Sequence, residues 1–484
     1  MARLTAVRAP LAALLGLVLG GCAVGPDYRA PQPDVPAQWG AAADARALDA
    51  AVLAEWWRQF QDPLLDALVA DALAANLDLA TARAQLREAR ARRGLAGAQL
   101  GPTLDASVTG SRSTSEDAAG DDVTRELYTA GFDAAWELDV FGGLRRGVEA
   151  AEADLGAGLE SLRNVRVTLA AEVARNYVEL RTAERRLAVT AASVAAREES
   201  YALTQWRLQA GLVSELDAAQ ARTELESARA ALPALRTAIV EARNRLAVLL
   251  GRAPGELQAR LAAADVPLAG SAAAAGIPAD VLRMRPDVRA AERQLAAQTA
   301  RLGQAEAARY PSVRLSGSIG LEALSFSALG DNGADTRSLL GSVTAPIFHS
   351  GRIAADIEIQ DALLEQARLA YQAAVLTALE DVENALVNVA NAGQRRAQLA
   401  LATEAAREAL AIAEQRYATG LADFLSVLDS QRTLLNLEDQ LAGSTGELAT
   451  AQIQLYKALG GGWSPASDPA PAAGRTPANP RHTS

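Results

Sequence analysis

The sequence predicts a mainly α-helical protein with membrane β-strands, built as two tandem copies of one structural unit. Three observations carry that expectation. Motifs recur at an offset of 209 residues, from Pro102 to Pro311 and from Gly211-Leu212 to Gly420-Leu421. Each copy holds two segments of apolar and polar alternation, the pattern of a strand with two unlike faces. Each copy also holds a helical stretch with apolar residues spaced by threes, fours and sevens, Leu144 to about Gln209 and Arg352 to about Thr419. At 1.5 Å rise per residue such helices reach about 100 Å, far beyond a compact core.

The chain opens with Arg3 and Arg8, then an uncharged stretch from Ala9 to Gly21. This is the layout of an export signal. Cys22 follows it and is the only cysteine in 484 residues, so no internal disulfide is possible. Leu19-Gly20-Gly21-Cys22 resembles a bacterial lipobox, which implies cleavage after residue 21 and an N-palmitoyl, S-diacylglycerol Cys22. By the same resemblance, Ala23 in place of Asp directs the lipoprotein to the outer membrane. Residues 22–63 then read as a lipid-anchored tether, extended because it is rich in Pro and Ala.

The first repeat is assigned to 64–260, a linker to 261–279, the second repeat to 280–462 and a disordered tail to 463–484. Each repeat begins with a helix closed by proline, Leu64 to Leu100 before Pro102 and Asp280 to Arg309 before Pro311. Asn76-Leu77-Asp78-Leu79 in the first matches Arg285-Pro286-Asp287-Val288 in the second. At the later Phe141 and Phe348 the offset reads 207, which predicts a length change between the helices.

Alternation comes next. Leu104, Ala106 and Val108 interleave with polar residues, and after the loop "EDAAGDD" so do Tyr128, Ala130, Phe132, Ala134, Trp136 and Leu138. The second repeat gives Val313 to Glu322 and Ser338 to Ile347. Each run approaches the 9–11 residues of a tilted membrane strand. A soluble sandwich with one dry face is the alternative. Four strands cannot close a barrel in lipid alone, so membrane strands require oligomerisation.

Each long helix then ends at a glycine turn. Gly211 and Gly420 suit a helix C-cap, Ser214 with Asp217 fits a capping box, and Asp423 fits an N-cap. The return helices are expected to be interrupted at Pro233 and Gly443.

Composition excludes several classes. A net charge of −11 lacks the concentrated basic surface of a nucleic-acid binder. Past the signal no apolar run reaches the length of a spanning helix. Lys457, the only lysine, is followed by Ala458, so there is no Walker A motif. One cysteine and two histidines, His349 and His482, offer no metal cluster and no nucleophile–histidine pair. Neither an enzyme nor a bound cofactor is expected.

Several motifs together resemble the TolC-like outer membrane factor family, in its lipoprotein (NodT-type) branch. They are Cys22-Ala-Val-Gly-Pro-Asp-Tyr28, Trp56-Trp57-Arg-Gln-Phe60, Asp62-Pro63-Leu64, Trp136-Glu-Leu-Asp-Val-Phe-Gly142, Arg285-Pro286-Asp287-Val288, Tyr310-Pro311, and Arg416-Tyr417-x-x-Gly420 running to Arg432. The resemblance implies a homotrimer with four strands per chain in one twelve-stranded barrel, above a tube of long periplasmic coiled-coil helices. It implies the exit duct of a tripartite efflux pump, passively conducting small molecules, docked to a periplasmic adaptor and an inner-membrane pump of the resistance-nodulation-division (RND) type. A protein-secretion duct and a non-conducting scaffold lipoprotein are the alternatives.

The matching gate positions are Leu425, Asp429 and Arg432. Leu425 and Asp429 lie four apart on one helix face, and three convergent Asp429 carboxylates would favour cations. Read from the sequence alone, Asp429 is better taken as a solvated helix charge, and only the family resemblance reverses that reading. The first-repeat counterparts of Leu425 and Asp429 are Leu216 and Gln220. Adaptor contact is expected at the two turns, Gly211, Leu212, Val213 and Ser214 with Gly420, Leu421, Ala422 and Asp423. A polar lumen is expected from Asp105, Asp133, Glu137, Asp139, Arg314 and Glu322. His349 is expected as a corner residue between strand and helix.

Overall fold

The computed structural model describes residues 23–40, 49–116, 118–258, 260–270, 278–330 and 333–464. The expected export signal, the expected lipidation site Cys22 and the expected disordered tail from 465 onward lie outside the described residues. Short helical turns at Ala50–Ala54 and Trp56–Phe60 lead into α1 (Pro63–Ala75), α2 (Leu77–Ala98), β1 (Thr103–Glu116), β2 (Asp122–Leu138), α3 (Gly143–Gln209) and α4 (Glu215–Leu249). The second half repeats this order as α5 (Pro278–Met284), α6 (Pro286–Ala307), β3 (Ser312–Ala323), β4 (Asp335–Thr344), α7 (Arg352–Ala418) and α8 (Phe424–Ala458).

The repeat holds one offset throughout, and here the structure corrects the sequence. Leu77, Thr103, Gly143 and Glu215 open their elements 209 residues before Pro286, Ser312, Arg352 and Phe424. The hairpins obey the same offset, since Thr103 pairs with Ala135 and Ser312 with Thr344. The corner glycines Gly142 (φ 83°) and Gly351 (φ 82°) are also 209 apart. There is no net length change. The turn from strand to helix is fixed by a left-handed glycine, which tolerates positive φ without a Cβ clash, and not by the phenylalanine that suggested 207.

The opening helix of each repeat is broken in two. Asp62 caps α1, accepting from Leu64 N at 2.9 Å and Leu65 N at 3.2 Å. Asn76 leaves the helix with extended backbone, caps α2 by accepting from Leu79 N at 3.0 Å, and donates to Leu249 O at 2.9 Å. Arg285 takes the equivalent place, where Pro286 disfavours helical backbone in the residue before it.

Pro233 and Gly443 do not interrupt the return helices, because α4 and α8 run through them. The one hydrogen bond lost at Pro233 is outweighed by burial of Leu225 and Ala228 before it and Ile239 and Leu246 after it. The helix N-termini after the two glycine turns form as expected, with a reciprocal Ser214–Asp217 capping box and Asp423 accepting from Ser426 N at 3.0 Å.

The four strands form one antiparallel meander in the order β1-β2-β3-β4, with β1 and β4 at open edges. Register sorts the faces. Val108, Ala130 and Leu321 share one face, as do Phe132, Ile319, Trp136, Leu315, Val313 and Val343. Asp105, Asp133, Glu137, Arg314 and Glu322 share the other. Asp139 does not join them. It lies beyond β2, accepting from Leu144 N at 3.1 Å and Arg145 N at 2.8 Å at the start of α3. β4 ends at Thr344, short of the expected Ile347, because Pro346 has no N–H for a ladder. His349 is exposed at the next corner, where its carbonyl accepts from Arg352 N.

Two compact units result. Among the described residues, one comprises 23–33, Ala84–Glu160 and Arg289–Ala373, and so holds the sheet; the other comprises Asp34–Arg83, Ser161–Val288 and 374–464. The expected tether is a strap bound to both units. In the first, Val24 N donates to Phe141 O at 3.1 Å, Arg146 donates to Val24 O, Gly25 O and Asp27, and Tyr28 donates to Glu292 at 3.0 Å. In the second, Trp39 is buried and Gly40 N donates to Glu383 at 2.6 Å. Ala269 of the linker both donates to and accepts from the Gln452 amide. Trp463, assigned to the tail, is held by Arg163 over its ring at 4.4 Å.

Candidate functional site

The candidate site lies in the helical unit, where α3 turns into α4 and α7 into α8. Both turns are Schellman motifs. Gly211 N donates to Leu208 O and Leu212 N to Arg207 O; Gly420 N donates to Tyr417 O and Leu421 N to Arg416 O. Each closes on a left-handed glycine, φ 72° at Gly211 and 76° at Gly420. The geometry leaves Leu212 and Leu421 projecting into solvent, 73% and 71% exposed. Asp423 also accepts from Ser426 Oγ, and the two Ser426 hydrogen bonds hold its carboxyl below the ordinary range.

Behind the turns a small core fixes α8. Phe424, Val427 and Leu428 are buried with Ala221, and Tyr201, Leu410, Ala413 and Tyr417 pack against them. The Tyr417 and Phe424 ring centroids lie 5.3 Å apart, and the Arg207 guanidinium lies over the Tyr417 ring at 4.4 Å from its centroid. Gln431 donates to Ser200 Oγ at 3.1 Å. These contacts set which face of α8 turns away from the core.

That outer face carries the expected gate positions. Leu425, Asp429 and Arg432 line one groove with Leu216 and Gln220, so the structure brings the two repeats' counterparts together. Arg432 donates to Asp429 Oδ1 at 2.6 Å, with both side chains about two-thirds exposed. Leu216 and Leu425 are exposed as well. An exposed ion pair of this kind contributes about 0–1 kcal/mol, so either charge can exchange its partner at little cost.

The sequence reading missed three features here. Trp206, one turn before Gly211, is 73% exposed. Arg207 covers Tyr417, and Glu224 in the groove accepts from Arg197 at 2.8 Å. Trp206 was legible as a lone tryptophan in the last turns of the long helix; the other two depend on pairing between helices.

Among the described residues no helix is long and apolar enough to cross a membrane, and no group of His, Cys, Asp and Glu has the arrangement of a metal site. The sheet also exposes apolar surface. Leu104, Val108, Phe132, Ile319, Leu339 and Val343 all lie open on one face.

Comparison with known proteins gives one consistent result. The family model described as Outer membrane efflux protein matches residues 68–252 and again 277–461, once per repeat. The chain is 34% identical to the solvent efflux pump outer membrane protein SrpC of Pseudomonas putida over 468 residues, covering 94% of this chain and 98% of that one. It is 32% identical to Nodulation protein T of Rhizobium leguminosarum bv. trifolii over 464 residues, covering 93% and 96%. Among solved structures it is similar to the outer-membrane channel OprN, with a TM-score of 0.87, 36% identity, and coverage of 91% of this chain and 100% of that one.

Proposed function

The chain belongs to the outer membrane efflux protein family and is the outer membrane channel component of an efflux pump; from that premise we propose that three copies form one exit duct. The observation that carries the trimer is the four-stranded sheet, with an exposed apolar face and two unpaired edges. In hydrocarbon each unsatisfied backbone group costs several kcal/mol, so neither edge can face lipid. Three copies give the twelve strands expected of this family. Asp105, Asp133, Glu137, Arg314 and Glu322 then line a polar lumen.

The long helices of the three copies continue the conduit through the periplasm, and the turns at Gly211–Ser214 and Gly420–Asp423 meet a periplasmic adaptor. The adaptor couples the duct to an inner-membrane RND pump, which supplies the energy. Leu425, Asp429 and Arg432 form the periplasmic gate, closed at rest and released by adaptor contact. Asp429 makes the mouth cation-preferring. Acylated Cys22 anchors the chain in the outer membrane, and the strap from Val24 to Tyr28 ties that anchor to the sheet unit through Phe141, Arg146 and Glu292.

The test is the native mass of the detergent-extracted protein together with the mass of its N-terminal peptide. A trimer whose first residue is a triacylated Cys22 is expected. A monomer overturns the shared barrel, and an unmodified N-terminal peptide overturns the anchor. A trimer that never conducts in a bilayer supports the scaffold reading.

A further inference from the structure

We propose that the wall of the duct carries a second solute site, a cavity at Lys457 and Asp381 that takes a small zwitterion, its carboxylate toward Lys457 and its ammonium toward Asp381. This rests on the exit-duct reading above, which makes the gate face of α8 the inner face. Gly443, Glu447 and Thr450 follow Leu425, Asp429 and Arg432 by 18 residues each, five full turns of an α-helix. α8 runs unbroken from Phe424 to Ala458, so the two sets share one face. Those three residues line a cavity of about 760 Å³ together with α3 and α7. Gln454 and Lys457 continue the stripe four and seven residues beyond Thr450 and line an adjoining cavity of about 520 Å³, and Asn388 and Gln454 belong to both. The second cavity is of a size that holds small ligands.

Four charged groups line that second cavity, and three of them are bound to one another. Arg285 donates to Asp287 Oδ1 at 3.1 Å, to Asp287 Oδ2 at 2.6 Å and to Asp381 Oδ2 at 2.9 Å. Asp287 Oδ1 also accepts from Val288 N at 2.9 Å, so both of its oxygens are engaged. Asp381 keeps Oδ1 open among the described residues, on a side chain that is 47% exposed. The three together carry one surplus negative charge. Lys457 is half-buried and has no hydrogen-bond or ion-pair partner among the described residues. The lining is therefore neutral in sum but polarised, with an open ammonium on α8 and an open carboxylate oxygen on α7.

The remaining polar groups are amides. Asn384 and Asn388 follow Asp381 by three and seven residues on α7, while Asn164 comes from α3 and Gln454 from α8. None of the four makes a side-chain hydrogen bond among the described residues, and each offers both donors and an acceptor. A cation in the last turn of α8 suits the helix dipole, but the dipole does not account for amides from three helices and an open carboxylate oxygen beside it. A simple anion gains at Lys457 and is repelled by the surplus charge on the aspartates; a simple cation meets the reverse. A solute with both charges satisfies both ends, and its polar middle finds the amides.

Lys457 is the only lysine, so its acylation by an N-hydroxysuccinimide ester, read by peptide mass spectrometry on the detergent-purified full chain, reports occupancy without any transport. Glycine betaine, a zwitterion that the reagent cannot attack, is expected to slow the labelling severalfold. tert-Butylacetate, which has its shape without the cation, and choline, which lacks the carboxylate, are expected to slow it little. Asp381→Asn is expected to reduce the protection by glycine betaine to that by tert-butylacetate, with the labelling rate in the absence of ligand unchanged. Equal protection by tert-butylacetate and glycine betaine in the wild type, or protection by neither, overturns the proposal, and bilayer conductance of the same protein then still upholds the duct. Selective protection by glycine betaine in a trimer that does not conduct upholds the site and removes the duct.

Discussion

Arg432 and Asp429 meet at 2.6 Å on the open side of α8, with no buried surface around them to fix the pair. Removing the cation frees the carboxylate without a folding penalty beyond about 1 kcal/mol. Arg432→Ala is therefore expected to keep its melting temperature and to shift the reversal potential under a salt gradient toward greater cation preference. An unchanged reversal potential would mean that Asp429 does not face the ion path. Arg285 is the opposite case. Its guanidinium is buried, donates to Asp287 at 2.6 Å and Asp381 at 2.9 Å, and reaches the carbonyls of Ala378 and Ala458. Arg285→Ala leaves two part-exposed carboxylates and two carbonyls without their donor, a loss of about 1–3 kcal/mol visible as a fall in melting temperature. Burial alone would raise the Asp287 carboxyl, but the hydrogen bonds and charge of Arg285 outweigh it and hold it below the ordinary range. A depressed carboxyl stabilises the fold above its unfolded pKa of about 4 and loses that contribution as pH falls through the folded value. Asp287→Asn is expected to flatten the acid limb of the stability profile; an unaltered limb would contradict the pairing.

At the scale of elements, a single small residue can set how closely two helices approach. Gly446 in α8 is one. A Cβ there would fall 2.9 Å from Thr182 Cγ2 and 3.0 Å from Thr182 Cβ in α3, with Thr182 Oγ1 nearer still. Gly446→Ala is expected to cost about 1–3 kcal/mol by overpacking, with part recovered by Thr182→Ala. Equal stability of wild type and variant would show that the two helices separate freely. The long helices, the four strands and the capped turns were legible in the sequence because each is a local, periodic pattern with a stop signal. The breaks at Asn76 and Arg285 were obscured because apolar spacing continues across them, and what ends the helix is a cap to Leu249 in one case and a following proline in the other. Pro233 misled in the reverse direction, as a strong local breaker overruled by packing along α4. The strap had no periodic signal at all. Its contacts join Val24 to Phe141 and Tyr28 to Glu292, pairs that only tertiary structure brings together. Of the candidate site, the residues on α8 were legible through resemblance, while their grouping with Leu216 and Gln220 required the helices to be placed.

For the whole molecule, the duplication places two equivalent hairpins side by side in one sheet. A sheet of four strands with polar residues on one face and apolar residues on the other is stable in a bilayer only when its edges are covered. The central claim is that the assembled protein conducts and that its restriction lies at the α8 groove. Planar-bilayer conductance of wild type beside the Leu425→Ala, Asp429→Ala variant tests it most directly. Small discrete steps in wild type that grow in the variant are predicted. Absence of conductance in both proteins, each still trimeric by native mass, would contradict it.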